Sequence, residues 1–221
     1  MKKIINSVII NRAVPGSGKT TISNTIVKHL RENDISVALH STDEFFMTTD
    51  GHYHFMNDLL HGFHFENFNN FLQSLKTGTQ VVICDNINLA PWQTKPYTDA
   101  AREYNYRIIF ITFTPRELEK HIQSQKVTPE KPDAHGVPED VLIRFIEEYW
   151  IYNSLLDRNS IINPELHKDY KWDETTNNRI ESGFPSNHFD TDAVLEIKPD
   201  EYHQMRKSIG NNVLMMITSE V

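Results

Sequence analysis

Ala13-Val14-Pro15-Gly16-Ser17-Gly18-Lys19-Thr20 links an apolar run to a helical pattern, and its residue types suit one kind of chemistry. A glycine-rich turn presents successive backbone N–H groups to phosphate oxygens, and the helix opening at its end adds a partial positive charge. Lys19 has the length to reach β and γ phosphates, and the Thr20 hydroxyl suits Mg²⁺. Pro15, Gly16, Ser17, Gly18, Lys19, Thr20 and Thr21 are therefore expected to hold ATP. The strict pattern opens with glycine where this chain has Ala13, a change that a negative φ accommodates.

Two acids follow apolar runs further along. Ser41-Thr42-Asp43-Glu44-Phe45-Phe46 comes after Ser36 to Ser41, and Asp85-Asn86 completes Val81-Val82-Ile83-Cys84. If both runs are parallel strands, both carboxylates sit at one sheet edge. An acid there can accept the proton of an attacking hydroxyl or hold Mg²⁺ and its waters, and phosphoryl transfer needs both tasks. Asp85 has the placement of the metal-side acid, with Thr20 as its companion ligand. Either aspartate also suits a helix N-cap or a turn.

The elements that must position these groups are legible as alternation. Strands are expected over Ile4 to Asn11, Ser36 to Ser41, Gln80 to Asp85 and Arg107 to Thr112. Helical spacing covers Thr20 to Arg31, the stretch from Phe65 to a stop at Gly78, Pro91 to about Glu103, and a segment begun by Pro115. Near-continuous apolar strands separated by helices predict a doubly wound α/β fold with a parallel sheet and ligands at the strands' carboxyl ends. Residues 125–138 hold three prolines and a glycine and read as a loop, and Val141 to Trp150 reads as an amphipathic helix. Residues 1–156 are expected as the main domain with a lid at about 115–138, and residues 157–221 as a mixed appendage packed on it.

Composition narrows the class. The chain has 221 residues, a formal charge of −8, 38% hydrophobic and 24% charged residues, which suits a folded globular protein and excludes collagen and disorder. Residues 1–110 are balanced at ten basic and ten acidic, so the acidic excess lies wholly in the second half. No basic stripe is visible, and binding to long duplex nucleic acid is not expected. The single cysteine, Cys84, predicts a reducing compartment. No run approaches the roughly 18 apolar residues of a membrane span, so a cytoplasmic location is expected.

Pro15-Gly16-Ser17-Gly18-Lys19-Thr20-Thr21, Ser41-Thr42-Asp43-Glu44-Phe45-Phe46, Asp85-Asn86-Ile87-Asn88-Leu89 and Lys95-Pro96-Tyr97, in that order, resemble the P-loop polynucleotide-kinase-like family. The resemblance spans about residues 4–152 and takes in Asp50-Gly51, Tyr53, Phe55, His64 and His135-Gly136-Val137-Pro138. It implies a kinase-type P-loop NTPase, a three-layer sandwich of strand order 2-3-1-4-5. It also implies an ATP-dependent kinase in which Asp43 activates a 5′-hydroxyl and Asp85 with Asn86 lines the acceptor or metal side. Asn88, Lys95 and Phe46 are then expected near the acceptor.

The chain departs from that pattern in two places. Phe46 stands where an arginine of the family grips an acceptor phosphate, and residues 117–143 contain Lys120, Lys126 and Lys131 but no arginine. Lysine carries the charge without the planar fork. Lys126 is expected to substitute, or Arg116 or Arg144 to reach the transferring phosphate. The acceptor class consequently stays open between a nucleic-acid 5′ end and a small molecule, and a nucleotide-binding switch without transfer is the reading from another class. Aromatic residues around Phe45, Phe46, Tyr53, Phe55 and Phe63 could stack an acceptor base, whereas Phe65 is expected in the core.

Overall fold

A computed structural model describes residues 3–156, 169–173, 178–183 and 188–219. The chain opens with β1 (Lys3–Ile4) and β2 (Ser7–Ala13), then α1 (Lys19–Glu32), β3 (Val37–His40) and α2 (Asn57–Lys76). Next come β4 (Val81–Cys84), α3 (Pro91–Glu103), β5 (Arg107–Phe113), α4 (Leu118–Gln125) and α5 (Glu139–Asn153). The last part supplies the β6–β7 hairpin (Asp169–Asp173 and Asn178–Gly183), β8 (Ala193–Ile197), α6 (Tyr202–Met216) and β9 (Thr218–Ser219).

β3, β4, β2, β5 and β8 form one sheet in that spatial order, every pair parallel. This is the expected 2-3-1-4-5 arrangement. Because side chains alternate across a strand, β2 divides its apolar residues between two cores. Val8 and Ile10 face Phe71, Leu75, Tyr97 and Ala101 of α2 and α3, whereas Ile9 faces Ile22, Ile26 and Leu30 of α1 with Ile209 and Val213 of α6. Burial on both faces explains why β2, β4 and β5 read as unbroken apolar runs.

Three expectations need correction. The first strand is broken at Ile5-Asn6, because β1 leaves the main sheet to pair antiparallel with β9. α2 begins at Asn57, two turns before Phe65, and Phe65 is 63% exposed, since that end of α2 overhangs the cleft instead of the sheet. The division at residue 156 does not separate an appendage from the core. β8 is the fifth strand of the main sheet and α6 packs along α1, while residues 157–168 lie outside the described residues.

Arg102 of α3 fastens the approach to β8. Its Nη1 lies 2.7 Å from Asp192 and its Nη2 2.7 Å from Asp190, and Asp192 also accepts the Ile108 N–H of β5 at 2.7 Å. The α1–α6 contact is close enough to require a glycine. A Cβ on Gly210 would lie 2.4 Å from Cγ of His29, at the root of that side chain. Gly210→Ala should therefore cost about 1–3 kcal/mol through overpacking, read as a lower urea midpoint. An unchanged midpoint would show that α6 can shift without loss.

Candidate active site

Two strand ends and one loop build the site. Gly16 (φ 82°) and Gly18 (φ 85°) take left-handed backbone, which turns residues 13–20 back over the N-terminus of α1. No side chain among the described residues caps that helix end, and its first turn contains no acid, so its leading N–H groups face the loop. The loop has no room for larger residues. A Cβ on Gly16 would meet Oγ of Ser124 in α4, and one on Gly18 would meet Tyr202 of α6, whose hydroxyl donates to the Gly18 carbonyl at 3.1 Å.

Lys19 sits at the centre, buried, with Nζ 3.1 Å from the Asp85 carbonyl, 3.5 Å from Asp43 Oδ2 and 3.8 Å from Asp85 Oδ2. Burial alone would lower its pKa, but the carboxylates of Asp85 and Asp43 outweigh burial and raise it. The amine is thus held charged. Asp85 is wholly buried at the end of β4, with Oδ1 accepting from Asn11 Nδ2 at 2.6 Å. Asp43 lies on a 3-10 turn (Thr42–Phe46) after β3, partly open to the cleft.

Five buried polar side-chain atoms without a hydrogen-bond partner among the described residues cluster here: Asn11 Oδ1, Ser17 Oγ, Asp85 Oδ2, Arg116 Nε and Gln125 Oε1. Such atoms are costly to leave unpaired, and their concentration marks a place where a polar ligand belongs. Asp85 Oδ2, buried behind Lys19, and the hydroxyl of Thr20, a residue of the cleft wall, are hard oxygen donors of the kind Mg²⁺ takes. Among the described residues, no cluster of three or more His, Cys, Asp or Glu side chains is placed to hold a metal ion.

The cleft measures about 2170 Å³ and runs from the phosphate loop between α2 and α3. Asn86, Asn88, Lys95 and Arg144 line it. Asn86 accepts the Thr42 N–H at 3.0 Å and donates to the Tyr97 hydroxyl at 3.2 Å, so it ties the Asp43 turn to α3. Asn88, in left-handed backbone (φ 51°), donates to the Asn11 carbonyl at 2.8 Å. Lys95 is exposed and paired with Asp99 at 2.9 Å. Two expected residues are placed elsewhere. Phe46 is buried among Tyr53, Phe55 and Phe63, because the turn points its ring into that aromatic cluster. Lys126 is exposed and lies off the cleft wall, which its loop neighbour Lys131 joins instead.

Sequence reasoning missed His121. Its Nε2 accepts the Arg116 N–H at 3.0 Å, so the ring proton resides on Nδ1, which donates to the Pro15 carbonyl at 2.8 Å. The neutral ring thereby bolts α4 to the phosphate loop. Arg116 adds a bond to the Gly16 carbonyl. Burial lowers the pKa of His121, and likewise of His40, His64 and His135. Groups held below their unfolded value of about 6.5 give full stability above that pH and lose it as pH falls towards the folded values. The melting temperature should therefore decline on acidification from pH 7 to 5.5. A rise over that window would contradict the neutral assignments.

A family model described as an AAA domain matches residues 8–149. The chain belongs to that AAA domain family. The expected P-loop kinase-like family and its parallel-sheet fold are thereby borne out. Human NEDD4-binding protein 2 is 29% identical over 147 residues, which is 64% of this chain but 7% of that protein. Two solved structures share the fold with a TM-score of 0.54. One is a candidate kinase from Chloroflexus aurantiacus, 13% identical, with 95% of this chain and 97% of that one covered. The other is Kti12 of Chaetomium thermophilum, 11% identical, with 96% and 100% covered. Among the described residues no helix is long and apolar enough to cross a membrane.

Proposed function

We propose that this AAA-domain, P-loop kinase-like chain transfers the γ-phosphate of ATP to an acceptor hydroxyl, with a nucleic-acid 5′-hydroxyl as the first acceptor to test. One observation carries the reading: Lys19 Nζ stands within 4 Å of both Asp43 and Asp85 where the phosphate loop meets the ends of β3 and β4. Kti12, which shares the fold, was solved in complex with ADP–AlF₃, which supports nucleotide binding as the starting point of this reading.

The roles follow from position. Backbone N–H groups of residues 16–20 cradle the β and γ phosphates, and Lys19 turns from its carboxylates to neutralise their charge. Asp85 and Thr20 are the residues that would hold Mg²⁺, which when bound neutralises phosphate charge. As the acceptor oxygen bonds to the γ-phosphorus, its proton passes to a carboxylate oxygen of Asp43. The bond from that phosphorus to the bridging oxygen breaks, leaving ADP.

Acceptor choice rests on the cleft. Phe55 and Phe65 are half or more exposed along it and offer flat faces for a base. A small-molecule acceptor is the second reading, favoured because buried Phe46 leaves the Asp43 turn without a cation for an acceptor phosphate. Supplying 5′-hydroxyl oligonucleotides and a panel of nucleosides and sugars with γ-labelled ATP separates the two. Label on oligonucleotide ends supports the first. Label confined to small molecules replaces it with the second, and bound ATP with no label anywhere leaves a nucleotide-driven switch.

A further inference from the structure

Asp43 is faced by two rings that the roles above do not use. Tyr53 and His135 stack with centroids 4.0 Å apart and planes 16° from parallel. Tyr53 comes from the segment after the Asp43 turn, His135 from the loop that follows α4. The backbone joins the two segments as well, since the Tyr53 N–H donates to the Pro132 carbonyl at 3.3 Å. The stacked pair presents one polar atom to each oxygen of the carboxylate. Tyr53 Oη lies 3.4 Å from Oδ1 and His135 Nδ1 lies 3.8 Å from Oδ2.

Lys19 Nζ also faces Oδ2, at 3.5 Å. One ammonium group cannot stay on Asp43 and Asp85 while also meeting the phosphates. When Lys19 turns to them, Tyr53 Oη and, with its proton on Nδ1, His135 still face Asp43 as donors. We infer that Tyr53 and His135 are positioning residues that clamp the two oxygens of Asp43, so that the proton acceptor is set only when the loop bearing His135 is in place. The inference rests on Asp43 as the base. Contacts of 3.4–3.8 Å suit a state before reaction, in which catalytic hydrogen bonds are long and tighten with substrate present.

The clamp predicts coupling that a packing role lacks. Tyr53→Phe and His135→Phe keep both rings for stacking and remove only the atoms facing Asp43. Each should lower kcat between about 10- and 100-fold, the scale of a misplaced reacting group, with KM for ATP unchanged. In an Asp43→Asn background neither should cost anything further. Losses that multiply in that background, or full kcat in either single variant, overturn the clamp. Full kcat in Asp43→Asn alone would instead overturn the base assignment beneath it.

A second readout does not depend on turnover. His135 is faced by the carboxylates of Asp43 and Asp133 and by the amines of Lys19 and Lys131. Asp43→Asn removes one of the two groups that favour its charged form, so the NMR titration of His135 should move to lower pH. A titration that does not move would show that His135 and Asp43 do not interact and would overturn the clamp.

Discussion

Asp43→Asn is expected to lower phosphoryl transfer by roughly 10²- to 10⁴-fold, the contribution of a positioned general base, while ATP affinity stays nearly unchanged. The amide keeps the size and much of the hydrogen bonding of the carboxylate but cannot accept the acceptor's proton. ATP affinity should persist because the phosphates are held by the loop backbone and Lys19, and Lys19 keeps Asp85 as a partner after the change. Steady-state transfer beside an ATP titration checks both halves. Equal loss of binding and turnover would make Asp43 part of the nucleotide site and not the base.

Arg12→Met is expected to cost roughly 3–5 kcal/mol of the 5–15 kcal/mol that typically holds a domain folded. Arg12 is wholly buried in β2 and donates from Nε to the Leu89 carbonyl at 3.1 Å, from Nη2 to the Tyr149 carbonyl at 2.6 Å and from Nη1 to Asn153 Oδ1 at 3.1 Å. Its guanidinium lies 4.1 Å over the Tyr149 ring. Burial pulls its pKa down to about 10, which leaves it charged at neutral pH. Methionine matches the stem but strands two buried carbonyls, each worth about 1–3 kcal/mol when unpaired. Urea unfolding measures the loss, and a change below about 1 kcal/mol would show that water or the Asn153 segment replaces the guanidinium.

Much of the site was readable because its order along the chain is local. The phosphate loop, Asp43 and Asp85 each sit at a strand's end, and strands buried on both faces announce themselves as apolar runs. The groups that brace the site were not readable. Arg12, His121 and Tyr202 act across 77–184 residues of sequence, on partners that no periodicity connects. β8 was missed for another reason. As an edge strand it alternates exposed and covered residues over Ala193–Ile197, with acids before and after it, and it lacks the apolar run that marked the inner strands. Phe65 misled because helical spacing gives the face of a helix but not how far the helix overhangs its sheet.

The most direct test of the account is transfer of label from γ-labelled ATP to a 5′-hydroxyl oligonucleotide, measured beside ATP affinity in the unaltered chain, Lys19→Ala and Asp43→Asn. Multiple turnovers are expected in the unaltered chain, loss of both affinity and transfer in Lys19→Ala, and loss of transfer alone in Asp43→Asn. Bound ATP without transfer in the unaltered chain, or equal transfer in all three, would contradict it.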